Sequence, residues 1–243
     1  MKMLLEIDNL SVHYHDGAHA LHGVSLRVAA GERVGLIGPN GAGKTSLLLA
    51  VLRGVPCDGR VAVEGVELSR RTQDDVRGQC GMIFQDADDQ LFMPTLLEDV
   101  AFGPLNQDCL PDEARRRAQE ALAVVGLAGL EQRSAHHLSG GQKRCAALAT
   151  VLAMRVKLLL LDEPAANLDY RSRKRLLDVL TARPEAMVVA THDLPMVARL
   201  CARTILLDDG HIIADGPTAD VLADAKLLED HGVTGPDAPG IGL

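Results

Sequence analysis

The stretch GPNGAGKT, residues 38–45, constrains this chain more than any other part of it. It follows an apolar run, RVGLI, and precedes KTSLLLAVLRG, which has helical spacing and ends at Gly54. A strand feeding a helix through a G-x-x-x-x-G-K-T turn is the context in which this pattern marks a phosphate cradle rather than an ordinary glycine-rich turn. The glycines let backbone N–H groups close on an anion at the helix start, where the dipole favours negative charge. Lys44 adds a point charge toward the β and γ phosphates of a nucleotide, and Thr45 offers a hydroxyl to Mg²⁺. Gly38, Asn40, Gly41, Gly43, Lys44, Thr45 and Ser46 are therefore the first candidate site residues.

The rest of the chain supplies the sheet that such a turn requires. LLEIDNLSVHY and VSLRVAAGERVGLIG alternate apolar and polar residues between Gly and Asp-Gly breaks, and GRVAVEGVEL reads as a further hairpin, so the N-terminal part is antiparallel β. LLLLD, MVVAT and TILLD are short apolar runs separated by helical segments, which predicts a mostly parallel sheet covered by helices. From about 95 to 155 no strand pattern occurs, and Pro111-Asp112-Glu113 opens a helix, so a helical subdomain is expected within the α/β core. The expectation is one domain over 1–230 and a loose tail over 231–243, where GVTGPDAPGIGL is rich in Gly and Pro.

Two strand ends carry further polar groups. LLLLDEP, residues 158–164, puts Asp162 and Glu163 at the carboxyl end of a buried strand, beside the phosphate turn. Asp162 is placed to hold Mg²⁺ and Glu163 to polarise an attacking water. VVATHD repeats the arrangement with His192, whose imidazole is placed to hydrogen-bond a γ phosphate.

A second anion-type helix start lies about a hundred residues after the first. LSGGQ, residues 138–142, precedes the apolar-faced stretch KRCAALATVLAM, so its N–H groups also point at an anion.

Composition removes several classes. The 25 Lys and Arg against 33 Asp and Glu give a net charge of −8 and no basic run, which argues against a nucleic-acid partner. The five cysteines are widely spaced without a Cys-x-x-Cys, so neither a disulfide framework nor a zinc site is expected. The longest uncharged apolar stretch, Cys145 to Met154, is far too short to span a membrane, and no signal-peptide pattern is present.

In order, Tyr14, GPNGAGKT, Gln85, LSGGQ, LLLLDEP, NLD ending at Asp169, and His192 resemble the ATP-binding subunit of ABC transporters. The resemblance implies a P-loop NTPase (RecA-like) fold and ATP hydrolysis with Mg²⁺. It also implies a head-to-tail pair of subunits, identical or related, in which Ser139, Gly140, Gly141 and Gln142 of one cover the γ phosphate on the Lys44 loop of the other. It further implies that Tyr14 stacks on adenine, that Gln85 contacts Mg²⁺ and the γ phosphate, and that Asp169 joins the subunits. Ala165 stands where that family often has Ser or Thr, and Tyr170 where Pro is common.

FQDADDQLFMPTLLEDVAFGP, with SGGQKR and ADGP, resembles energy-coupling-factor importers of cobalt, nickel and vitamins, with Asp86-Ala87 in place of Asn-Pro. That likeness implies an integral membrane partner and a location on the cytoplasmic face of the membrane. All three phenylalanines, Phe84, Phe92 and Phe102, fall in this stretch and fit either a subdomain core or an apolar groove for a partner helix. His13, His15, His19 and His22 flank an Asp-Gly turn and read as solvated loop residues. Two other readings stay open: an ABC ATPase with a soluble role, and a phosphoryl-transfer enzyme, which would leave LSGGQ without a purpose.

Overall fold

A computed structural model describes residues 2–14 and 17–233. Strands β1 (Met3–His13), β2 (His19–Ala29), β4 (Cys57–Val63) and β5 (Val66–Glu67) form an antiparallel sheet in the order β2-β1-β4-β5. The chain then crosses layers. Strand β3 (Arg33–Ile37) joins β6 (Cys80–Ile83), β7 (Leu158–Asp162), β8 (Ala186–Ala190), β9 (Arg203–Asp208) and β10 (His211–Pro217) in a second sheet, ordered β10-β9-β3-β8-β7-β6. Every pairing in it is parallel except β10 with β9.

The helices are α1 (Lys44–Val51), α2 (Gln73–Gln79), α3 (Leu96–Asn106), α4 (Pro111–Val124), α5 (Gly140–Ala153), α6 (Tyr170–Thr181), α7 (Leu194–Leu200), α8 (Thr218–Ala223) and α9 (Ala225–Asp230). Pro111 takes the first turn of α4, where its missing N–H costs nothing. The segment expected to be helical thus holds α3, α4 and α5, with 3-10 turns and loops between.

Strand β7 explains why an uninterrupted LLLL belongs in a sheet. Leu158 and Leu160 face one apolar cluster, with β1, β2 and α1, while Leu159 and Leu161 face another with α3 to α7. Both faces are covered, so neither needs polar residues. The alternation repeats in β8, where Val188 and Ala190 go with the first cluster and Met187 and Val189 with the second. The polar ends of β3, β7 and β8 consequently arrive at one edge of the sheet.

Two expectations are corrected. The chain stays packed beyond 230: His231 Nδ1 lies 2.8 Å from Asp208 Oδ2, and Val233 is buried with its N–H donated to Leu228 O. The remainder of the expected tail, 234–243, lies outside the described residues. His13, His19 and His22 are not loop residues either. His13 ends β1 and faces His19 of β2 with their Nδ1 atoms 2.9 Å apart, and the rings of His19, His22 and His211 continue as a stack. His15 lies outside the described residues.

Candidate functional site: a cleft at the carboxyl ends of β3, β7 and β8

The turn after β3 brings Gly38 against β9. A Cβ on Gly38, whose φ is 149°, would sit 1.9 Å from Leu207 O, so only glycine lets the turn lie this close to the sheet. Helix α1 starts at Lys44, and the Lys44 ammonium, 8% exposed, donates to the carbonyls of Gly38 and Pro39 at 2.7 and 2.8 Å. The lysine therefore folds back over the concave side of its own turn. Burial lowers its pKa, opposed by the nearby carboxylates of Glu163 and Asp162.

Asp162 ends β7 and accepts a 2.7 Å hydrogen bond from the Thr45 hydroxyl. Burial raises its pKa, with the bond from Thr45 pulling the other way and Glu163 adding to the rise. Two hard oxygen donors thus stand side by side, with the Gln85 amide on the same cleft. An oxygen-only set of this kind suits Mg²⁺ and not a soft transition metal.

Glu163 follows in a left-handed conformation at φ 44°, uncommon for a residue with a side chain. Its N–H donates to Ala190 O at 2.8 Å, which ties the turn to the end of β8. Its carboxylate accepts from the Thr191 hydroxyl at 2.8 Å and from the His192 N–H at 3.0 Å, and lies 2.8 Å from His192 Nδ1. The His192 side chain is 72% exposed.

A cleft of about 520 Å³ is lined by Tyr14, His19, Asn40, Gly41, Gly43, Lys44, Thr45, Ser46, Gln85, Asp162 and Glu163. The Tyr14 hydroxyl lies 2.9 Å from Ser46 Oγ, which ties the tyrosine to the start of α1. Most residues named from the sequence for phosphate, Mg²⁺ and adenine are therefore gathered in one place.

Ser139, Gly140, Gly141 and Gln142 are not there. Ser139 caps α5: its Oγ accepts from Gln142 N at 3.3 Å, and Gln142 Oε1 accepts from Ser139 N at 3.0 Å. Gly141 packs on α6, and with Gln142, Arg171 and Ser172 it lines a separate cavity of about 220 Å³. Asp169 turns to its own helix, accepting from Arg171 N, Ser172 N and Ser172 Oγ, contacts that hold its carboxyl below the usual range. This chain carries two anion-type helix starts that do not meet.

Two residues behind the cleft carry no signal in the sequence motifs. Thr191 is 1% exposed and binds Glu163; within VVATHD nothing sets it apart from the apolar run it follows. Arg144, buried in α5, donates to Phe84 O at 2.9 Å and lies near Asp86, Glu163 and Asp162; burial lowers its pKa. Only the SGGQKR resemblance had drawn attention to it.

The phenylalanines divide. Phe84 packs on the core, whereas Phe92 is 63% and Phe102 40% exposed, edge to face with centroids 5.2 Å apart.

Comparison with known proteins agrees with this geometry. The ABC transporter family profile matches residues 21–166. The cobalt import ATP-binding protein CbiO of Rhodobacter capsulatus is 43% identical over 97% of this chain and 86% of its own length. The energy-coupling factor transporter ATP-binding protein EcfA of Methanothermobacter thermautotrophicus is 40% identical over 93% of this chain and 74% of its own. The solved structure of CbiO1 from Clostridium perfringens, part of the complex CbiONQ, superposes with a TM-score of 0.81 at 32% identity, covering 95% of this chain and 94% of that one.

Proposed function

The chain belongs to the ABC transporter ATP-binding proteins and is an ATPase, and from that premise we propose that it is the ATP-hydrolysing subunit of an energy-coupling-factor importer. Two subunits pair head to tail around two ATP molecules and drive a membrane partner that takes up cobalt, nickel or a vitamin. The observation that carries this is the separation of the two helix starts. A phosphate turn inside one cleft and a Ser139-Gly140-Gly141 start facing elsewhere complete one another only when a second subunit, identical or related, is brought up by a two-fold axis.

In this reading Tyr14 stacks on adenine, and the N–H groups from Gly38 to Ser46 with Lys44 hold the phosphates. The partner's Ser139 helix start then closes on the γ phosphate, with Gln142 holding that start rigid and Asp169 meeting the other subunit. Thr45 and Asp162, with Gln85, are the residues that would hold Mg²⁺. When bound, the ion offsets charge on the phosphate oxygens. Glu163 takes a proton from the attacking water, and His192 contacts the γ phosphate. ATP favours the closed pair by contacts it makes only in that state, and cleavage to ADP removes them.

The exposed Phe92–Phe102 pair supports a membrane partner, because paired aromatics of this size are costly to leave in water. No helix among the described residues is long and apolar enough to cross a membrane, so in this reading the subunit is peripheral, on the cytoplasmic face. The functional test of cargo is uptake of labelled cobalt, nickel and biotin by cells carrying the intact protein with its partners or its Lys44→Ala form. Uptake of one cargo that disappears with Lys44→Ala identifies it.

The test of the pairing is light scattering of Glu163→Gln with saturating Mg-ATP. The variant is expected to bind ATP, lose turnover by about 100-fold or more, and dimerise. A protein that stays monomeric overturns the reading.

A further inference from the structure

Glu163 sits on a turn that does little to hold its side chain. No residue of β7 contacts its carboxylate; all three groups that do come from the end of β8, two residues in all. One is a backbone N–H, and one is the imidazole of His192, whose side chain is largely exposed. The third is the Thr191 hydroxyl, 1% exposed and placed by a strand: its own N–H donates to Leu36 O at 3.1 Å, joining the ends of β8 and β3.

The direction of that hydroxyl is also settled. Thr191 Oγ1 accepts from the Asp193 N–H at 3.1 Å, so its single hydrogen points away from that donor, to Glu163 Oε2. Asp193 is fixed in turn. Its carboxylate holds Arg173 of α6 through contacts of 2.7 to 3.0 Å and accepts from Met196 N at the start of α7. A carboxylate has about four acceptor sites. Filling one of them from a buried, fixed hydroxyl determines which way the rest face.

We propose that Thr191 is the positioning residue of the ATPase, orienting the Glu163 carboxylate toward the attacking water through a hydroxyl locked by the Asp193 N–H. The inference rests on the reading of Glu163 as the proton acceptor and deepens it. Asp193 and Arg173 extend the same support to α6, whose first turn begins at Asp169.

The test uses the full chain with Thr191→Val, which keeps the shape and removes the hydroxyl, and Thr191→Ser, which keeps it. Thr191→Ala is a second deletion should the valine form fail to fold. In Thr191→Val the kcat for ATP is expected to fall by about 10- to 100-fold, while KM and the Kd for a fluorescent ATP analogue stay within about 2-fold. Thr191→Ser restores kcat to within about 3-fold of the wild type, and adding Thr191→Val to Glu163→Gln causes no further loss. A wild-type kcat in both hydroxyl deletions, failure of serine to restore it, or additive loss in the double variant overturns the proposal. The two failures are distinguishable: if Glu163→Gln itself keeps its turnover, the reading of Glu163 falls first.

Discussion

The two anion-type helix starts of this chain are built from the same material and finished differently. At Lys44 the turn is pressed into the sheet, the ammonium is nearly covered, and two carboxylates and a ring complete the cleft around it. At Ser139 the start is exposed and held by its own capping box, and the cavity beside it is lined by Gly141, Gln142, Arg171 and Ser172 rather than by carboxylates and a ring. Capping satisfies donors that water would otherwise meet, at the N-cap and at the third residue of the helix. The contrast teaches that the same helix-start chemistry can be built into a cleft or left on a surface, and in the proposed pairing the second start is half of a site.

The largest effect that would break this contrast concerns nucleotide binding. Lys44→Ala is expected to weaken ATP binding to the single subunit by about 100-fold or more, since it removes the ammonium folded over the turn after β3. Ser139→Ala costs only about 1 kcal/mol of helix-cap stability and leaves that binding unchanged, but it abolishes ATP-dependent dimerisation. Titration with a fluorescent analogue and light scattering separate the two. Equal loss of monomer binding in both variants would mean that the starts are not different in kind.

A smaller effect sharpens the comparison through stability. Gly38→Ala drives a methyl into the Leu207 carbonyl and is expected to cost about 3 kcal/mol or more. Gly140→Ala meets no atom within 4 Å, at a helical position, so its melting temperature should stay or rise, by at most about 1 kcal/mol equivalent. Its turnover should nonetheless fall by about 10-fold, because in the proposed pairing the added methyl meets the second subunit's nucleotide. Scanning calorimetry with steady-state turnover reads both, and full activity in Gly140→Ala would remove that start from the site.

The smallest effect lies beneath the outward-facing half. Asp99 of α3 is 3% exposed; its Oδ1 accepts from the N–H groups of Phe92 and Met93, and its Oδ2 has no partner. Burial raises its pKa above the ordinary carboxyl value. Ionisation is therefore costlier in the folded state: the penalty is absent below the unfolded pKa and grows as pH rises toward and through the folded one. Asp99→Asn, which keeps the acceptor, should melt at a higher temperature near pH 7 and lose that advantage as the pH is lowered through the carboxyl range. Parallel melting curves at every pH would contradict it.

Much of the site was legible because its residues lie at strand ends, where chemistry and pattern coincide. RVGLI before the glycines, LLLL before Asp162 and VVA before Thr191 each predict a strand whose polar end reaches the same edge of a parallel sheet. Tyr14 and Gln85 rested on resemblance, and the fold puts both on the cleft. Thr191 and Arg144 escaped notice for opposite reasons. A threonine ending an apolar run carries no signal of its own, and an arginine within a helix reads as solvated until its neighbours are known. The histidines of β1 and β2 were misplaced because an Asp-Gly turn suggested a loop, whereas the register between strands brings His13 opposite His19.

The sequence by itself determined the parts: a strand–turn–helix able to cradle phosphate, paired acids at the end of a buried strand, and a second helix start with no use for itself alone. These are local consequences of period, glycine placement and capping, which neighbouring residues decide. Only the tertiary structure decided which parts share a cleft. It puts Thr45 against Asp162 and Thr191 against Glu163, and it holds Ser139 away from Lys44. Those outcomes depend on strand order and on which face each helix buries, and both are settled by packing two layers of apolar side chains at once rather than by any one segment.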